Sequence, residues 1–250
     1  LRGESGGSGD KMNLRGITMK TKSFWGIACA LLVFLLVAPN AFGQDLNPRL
    51  TIFGGGSFLK GERTFVVGGD QFRSNFVNGG KFGFRGTVDV DSHWAVEGSY
   101  SYGTNNLRIF ELRVPPRERA FGTRVHQFAA NALYFLNKPE DKMRAFVTGG
   151  LGLTRYSPTD AAKTFAATFE FVDEAAVISS NTKLSLNFGA GVEAKVHDRF
   201  GARFDFRDNM TRIPRFGVPE TPPGPAVDFF PVSGVVHDWE ASIGVVIYLR

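Results

Sequence analysis

Cysteine is almost missing from this chain: of 250 residues only Cys29 is one, and it lies inside an apolar run near the start. A disulfide framework, a thiolate metal site and a cysteine nucleophile are therefore excluded for everything after residue 43. Histidine is scarce too, at 93, 126, 197 and 237, and no metal-ligand spacing links these positions. No phosphate-binding loop occurs, and no glycine fingerprint falls on a strand–helix–strand unit. Beyond residue 43 no apolar run approaches the roughly 20 residues of a membrane helix. No helical period bounded by caps is sustained either. Glycine (30) and phenylalanine (25) are plentiful, so the question becomes how the two are arranged.

The chain begins LRGESGGSGDKMNLRGIT, polar and rich in Gly and Ser. Residues 1–18 cannot bury a core, and they read as an upstream non-native or disordered segment. Met19 opens MKTKSFWGIACALLVFLLVAPNAFGQ, with Lys20 and Lys22, then an apolar run of about fourteen residues, then the small-x-small site Ala41-Phe42-Gly43. Residues 19–43 are thus expected to be a signal peptide cleaved before Gln44. Five of the 29 basic and two of the 24 acidic residues precede residue 44, leaving 24 against 22. The high isoelectric point belongs largely to the leader, and nucleic-acid binding loses its support.

Residues 44–250 form one expected domain. Period-two runs of about ten residues recur at 49–60, 81–90, 94–103, 125–136, 143–154, 184–196, 200–208 and 238–249. They are about twice the length of a common strand and match a tilted bilayer crossing. The connections alternate. Those at 91–93, 137–142 and 197–199 are short; those at 61–80, 104–124, 155–183 and 209–237 are long. Loops above about 15 residues are uncommon in soluble folds and have no reason to alternate. Alternation predicts an even number of strands, with both termini on the short-turn side.

The stretch FGARFDFRDN (200–209) shows what alternation alone leaves open. Phe204 and Phe206 lie on one face, Arg203, Asp205 and Arg207 on the other. With Phe inside, the chain is a soluble carrier of the lipocalin kind; with charge inside, its outer solvent is lipid. Volume separates the two. An eight-stranded barrel has an interior just wide enough for side chains to fill. The apolar faces (Phe82, Phe84, Trp94, Tyr100, Tyr102, Phe128, Phe188, Phe204, Phe206, Trp239 among them) are too bulky for it. The opposite faces carry Gly83, Ala95, Ser99, Gly150, Gly152, Gly189, Gly191 and Gly244. Glycine weakens a strand but leaves room for long side chains. Those on the same faces are Lys81, Arg85, Glu97, Glu193, Lys195, Arg203, Asp205, Arg207 and Glu240. Folding about the short turns sets Thr87 opposite Glu97, and Glu193 opposite Arg203. The reading is an ion-paired lumen of Arg85, Glu97, Glu193, Lys195, Arg203, Asp205, Arg207 and Glu240, with Glu193 as the nearest partner of the 203–207 wall. Leu133, Phe146, Val246 and Tyr248 are exceptions that fall inward. Phe53, Phe58, Tyr100, Tyr102, Phe135 and Tyr156 lie near strand ends and fit interfacial aromatic girdles.

Together with VTGGLGLTR (147–155) and the closing DWEASIGVVIYLR (238–250), this rhythm resembles the small eight-stranded outer-membrane β-barrel family of the OmpA transmembrane domain and OmpX-like proteins. The resemblance implies an all-β, eight-stranded antiparallel transmembrane up-and-down barrel with short periplasmic turns and four long external loops. It implies a porin-like, non-enzymatic protein of the Gram-negative envelope, located in the outer membrane. Its role would be envelope integrity or surface recognition through the loops; a narrow pore for ions or very small solutes is the alternative. Implied partners are outer-membrane lipid, periplasmic chaperones, the barrel-assembly machinery and an extracellular ligand of the loops, with no nucleic acid and no cofactor. A monomer or weak oligomer is expected. A lumenal Glu–Arg gate is implied too, which Glu97, Glu193, Arg85 and Arg203 match in type. Members usually end on an outward aromatic; here the outward parity falls on Leu249, a departure. Lipid A deacylases, of similar architecture, place His and Ser two residues apart on the lipid face. His126 has that height and parity, but Phe128 stands where the hydroxyl would be. Asp208, His237 and Asp238 flank one long loop and form a possible cluster at the mouth.

Overall fold

The period-two runs are strands. A computed structural model of the chain describes residues 47–60, 63–67, 70–111, 117–167, 178–217 and 233–249. The expected leader (19–43) and residues 1–18 lie outside these. The elements in order are β1 (Pro48–Lys60), β2 (Arg63–Val67), β3 (Asp70–Phe76), β4 (Gly79–Asp89), β5 (Trp94–Glu111), β6 (Arg117–Phe135), β7 (Met143–Pro158), α1 (Asp160–Ala167), β8 (Asn181–Lys195), β9 (Phe200–Arg212) and β10 (Val235–Tyr248). Eight of them are staves. Each of β4 to β9 pairs antiparallel with the next, and β1 pairs with both β4 and β10, so the eight staves close into a barrel.

The faces are inside out relative to a soluble protein. Phe82, Leu184 and Ile243 are 62%, 71% and 68% exposed, whereas Arg85 and Arg203 are each 1% exposed. On β9, Phe204 and Phe206 point outward and Arg203, Asp205 and Arg207 inward. An apolar wall around the whole circumference far exceeds the patches that monomeric soluble proteins expose. It is the surface of a barrel whose outer solvent is lipid.

The short turns are held by their own polar residues. Backbone N–H groups of His93 and Trp94 donate to Asp91 Oδ1 at 2.7 and 2.8 Å, closing an Asx-type turn. These donors hold the exposed Asp91 carboxyl below its usual range. Asn137 Oδ1 accepts from the Ala145 N–H at 3.1 Å across the next turn.

Two of the expected long loops are largely strand. The 61–80 connection contains the β2–β3 hairpin, and β3 adds to the far end of β5, from Phe72 opposite Glu111 to Phe76 opposite Leu107. The 104–124 connection is mostly β5 and β6 themselves, paired as far as Glu111 opposite Arg117. Leu107, Arg108 and Ile109 keep the apolar–polar alternation of the strand, and paired backbone satisfies more hydrogen bonds than an open loop does. The long-connection end therefore carries a four-stranded sheet, β2–β3–β5–β6, standing on the barrel. In the third connection β7 runs to Pro158 and α1 follows; residues 168–177 and 218–232 lie outside the described ones.

Three of the six aromatics expected at girdles point inward instead. Phe53, Phe135 and Tyr156 are 4%, 0% and 0% exposed. Each has the lumenal parity and finds a polar partner there. Phe53 lies 3.6 Å beneath the Arg85 guanidinium. Phe135 lies between Arg144 at 3.7 Å and Arg49 at 5.2 Å. The Tyr156 hydroxyl shares a 2.8 Å hydrogen bond with Thr211 Oγ1.

Candidate functional site

The lumen is filled by charge. On β9, successive inward positions place Asp205 between Arg203 and Arg207. Asp205 receives Arg203 Nε and Nη2 at 3.0 Å each and Arg207 Nη2 at 2.8 Å. Arg85, from β4, also donates to Asp205, at 3.0 Å, and contacts Glu240 of β10. Glu97 of β5 completes the centre, taking Arg203 on Oε2 and Arg207 on Oε1, both at 2.8 Å. In the closed order three strands lie between β5 and β9 either way round, so these contacts cross the full width of the lumen.

A second cluster sits toward the long-connection end. Lys81 Nζ donates to Asp238 at 2.7 Å, to Glu240 at 3.1 Å and to Gln127 Oε1 at 2.8 Å. Ser57 Oγ donates to the other Asp238 oxygen. A third cluster lies near the short turns. Arg49 spans Asp89 at 2.8 Å and Glu193 at 3.2 Å, Arg144 reaches Asp89 at 3.4 Å, and the Tyr248 hydroxyl donates to Glu193 at 3.1 Å. Across the three clusters, six cations (Arg49, Lys81, Arg85, Arg144, Arg203, Arg207) meet six carboxylates (Asp89, Glu97, Glu193, Asp205, Asp238, Glu240). Charge removed from water persists only when so paired.

Apolar layers bracket the first two of these clusters, and the third interleaves with the layer nearer the short turns. Leu59, Phe76, Val125, Tyr156, Ile213, Phe216 and Val236 close the long-connection end as one buried cluster. Phe216 has a left-handed backbone (φ 52°), unusual for a bulky residue; the Ser179 backbone N–H holds its carbonyl at 2.7 Å. Toward the short turns, Ala95, Leu133, Phe135 and Phe146 form a second cluster, with Arg203 stacked 4.4 Å over Phe146. Glycine makes the fit possible. A Cβ at Gly191 would stand 2.4 Å from the Phe146 ring, and one at Gly189 2.3 Å from the Phe206 carbonyl.

Seven of the eight charges expected in the lumen stand there: Arg85, Glu97, Glu193, Arg203, Asp205, Arg207 and Glu240. Lys195 does not join them. It lies at the short-turn mouth, where it pairs at 3.3 Å with the exposed Asp198, because its long stem reaches water more cheaply than a buried partner. Glu193 does stand opposite Arg203 in the ladder, yet the ion partners of Arg203 are Asp205 and Glu97; Glu193 is taken by Arg49. Parity alone could have added Asp238, which shares the face of Glu240, and Arg144, which shares that of Phe146. Arg49 and Asp89 sit at strand ends, where a two-residue period has too few repeats to decide.

The remaining candidates separate. His126 Nδ1 lies 3.0 Å from the Tyr100 hydroxyl on the lipid face, with Phe128 beside Tyr100, so its neighbour is a phenol. His93 stacks on Tyr134 in its turn. Asp238 belongs to the lumen, whereas His237 and Asp208 pair at 2.6 Å on the outer wall. Among the described residues no group of three or more His, Cys, Asp or Glu is placed to hold a metal ion.

The sequence model of the outer membrane protein beta-barrel domain matches residues 27–220. No curated protein sequence matches the chain. Among solved structures, the outer membrane protein OprG from Pseudomonas aeruginosa superposes with a TM-score of 0.55 at 9% identity, over 82% of this chain and 96% of OprG. Neisserial surface protein A gives 0.46 at 12% identity, over 82% of this chain and all of that one (100%). The N-terminal β-barrel domain of Pseudomonas aeruginosa OprF gives 0.41 at 14% identity, over 81% and 97%. The likeness to OprG is one of fold. With eight staves closed on themselves, an apolar outer wall and a charged lumen, the chain belongs to the outer membrane β-barrel domain family.

Proposed function

We propose that this protein is a non-enzymatic, largely plugged outer-membrane barrel that serves envelope integrity or presents its external sheet for surface recognition. One observation carries the reading: six cations balanced by six carboxylates fill the lumen, the central and outer of their clusters lying between two buried apolar clusters. An ion or small solute entering there would have to displace both a charge pair and an apolar layer. The apolar outer wall weighs against a soluble carrier. The β2–β3–β5–β6 sheet supports the recognition role, since it projects past the apolar band on the side of the long connections. In this reading residues 19–43 direct export and are removed, periplasmic chaperones and the assembly machinery deliver the barrel, and the loops meet an extracellular ligand.

Planar-bilayer recording tests the plug. The wild-type barrel is expected to carry little or no steady current. Arg203→Ala is expected to raise conductance by removing the cross-lumen partner of Glu97. A large, stable wild-type current would sink the reading in favour of a narrow pore.

A further inference from the structure

One carboxylate breaks the rule that the outer wall is apolar. Asp208 has outward parity on β9, facing Phe188 on β8 and Trp239 on β10, with Phe206 and Met210 as its outward neighbours in the strand. It is nevertheless only 1% exposed, and its Oδ1 is buried without a partner. An ionisable group set in a lipid-facing wall is expensive and marks a functional site together with its partner. That partner is His237, whose Nδ1 lies 2.6 Å from Asp208 Oδ2. The His237 ring stacks on Trp239 at 6.3 Å and 14°, and Trp239 stacks on Phe206 at 5.4 Å and 24°.

Cations gather around this pair at the external boundary. Lys60, exposed, stands directly opposite His237 across the β1–β10 ladder. Arg212, exposed, lies on β9 just beyond Met210. Among the described outward positions of β8, β9, β10 and β1, Asp208 is the only carboxylate. Below the cations runs an aromatic stripe, with Phe58 directly opposite Trp239.

We propose that this patch binds a phosphate-bearing lipid of the outer leaflet. Its phosphate lies against Lys60, Arg212 and His237, and its acyl chains lie along Phe58, Trp239 and Phe206. Asp208 is the positioning residue: it fixes the imidazole through Nδ1 and leaves Nε2 as the ring atom that can meet the headgroup. Cations at a membrane boundary each favour an anionic headgroup, and aromatic rings are at home at that depth. Because every residue lies on the outer wall, the inference is independent of whether the lumen conducts.

The test uses the folded protein in phosphatidylcholine vesicles containing a small fraction of brominated-chain phosphatidic acid, or of brominated-chain phosphatidylcholine. Trp239 fluorescence is read in the processed protein with Trp94 changed to Phe, since Trp25 lies in the expected leader. Phosphatidic acid is expected to quench Trp239 at least about threefold more efficiently than phosphatidylcholine at equal fraction. Lys60→Gln and Arg212→Gln are each expected to bring that ratio down toward one, and Asp208→Asn to lower it without altering quenching by brominated phosphatidylcholine, which reports that the barrel is folded. Inorganic phosphate in millimolar excess is expected to leave the preference intact. Equal quenching by the two lipids, a preference that survives in the Lys60→Gln/Arg212→Gln double variant, or full displacement by inorganic phosphate would each overturn the proposal.

Discussion

Glu97→Gln removes the one lumenal charge that touches two guanidiniums on the opposite wall. Both contacts are 2.8 Å long, and all three side chains are at most 2% exposed. Charges about 4 Å apart at an effective dielectric near 20 attract by about 4 kcal/mol per pair. Two pairs give roughly twice that, less the several kcal/mol of desolvation that glutamine no longer bears. The expected net loss is about 3–5 kcal/mol, the usual cost of breaking a buried pair from one side. Urea unfolding of the protein refolded into short-chain phosphatidylcholine vesicles, followed by tryptophan fluorescence, measures it. Adding Arg203→Gln to Glu97→Gln should recover part of the loss, giving a coupling of about 2 kcal/mol. The same cycle between Glu193 and Arg203 should give less than about 1 kcal/mol, although those two residues face each other in the ladder. A loss below about 1 kcal/mol for Glu97→Gln, or a larger coupling for the Glu193 cycle, would refute the cross-lumen pairing.

Two further outcomes follow from packing and from a turn. Gly191→Val adds a branched side chain where even a Cβ would lie 2.4 Å from the Phe146 ring; overpacking of this kind should lower unfolding stability by about 1–3 kcal/mol and slow the appearance of the heat-modifiable band on gels. The Asp91 carboxyl, held low by the N–H groups of His93 and Trp94, stabilises the first short turn at pH values above its unfolded pKa. That contribution fades as pH falls through its lower folded pKa. An NMR titration should place Asp91 below ordinary aspartate, and in Ser92→Pro, which disturbs the turn, the depression should shrink; an ordinary aspartate midpoint in the wild type would contradict the turn geometry.

The staves were legible because each of their two faces meets a different medium, so a period of two is written through all eight. The short turns were legible for the same reason: Asp91, Asn137 and His197 interrupt that period with polar residues. Partner choice in the lumen was not. Glu97 and Arg203 meet only when the sheet closes, and nothing in the local order of either strand states that β5 ends up facing β9. Glu193 was the obvious neighbour for Arg203 because hairpin register is local, while Arg49, its actual partner, arrives from the first strand. The strands β2 and β3 escaped notice because neither end of their hairpin is anchored in an apolar band. Phe53, Phe135 and Tyr156 misled because an aromatic near a strand end suits either medium, and only their parity tells which one they meet.

The placement of Glu97 across from Arg203 and Arg207 bears on the order of assembly. On β9 two guanidiniums share a single carboxylate, and the buried charges that β8 and β10 add to that face are carboxylates (Glu193, Asp238, Glu240), so an unclosed β8–β9–β10 sheet lacks the cations Arg49, Lys81 and Arg85 that these acids meet in the finished barrel. The hairpin of β4 and β5 brings Glu97, and the meeting of β10 with β1 brings Arg85 within reach of Glu240. Neutrality is reached only when the last seam forms. Partly wound sheets thus lack the ion pairs that span the β1–β10 seam, and the charge network of the lumen is complete only once the first and last strands pair.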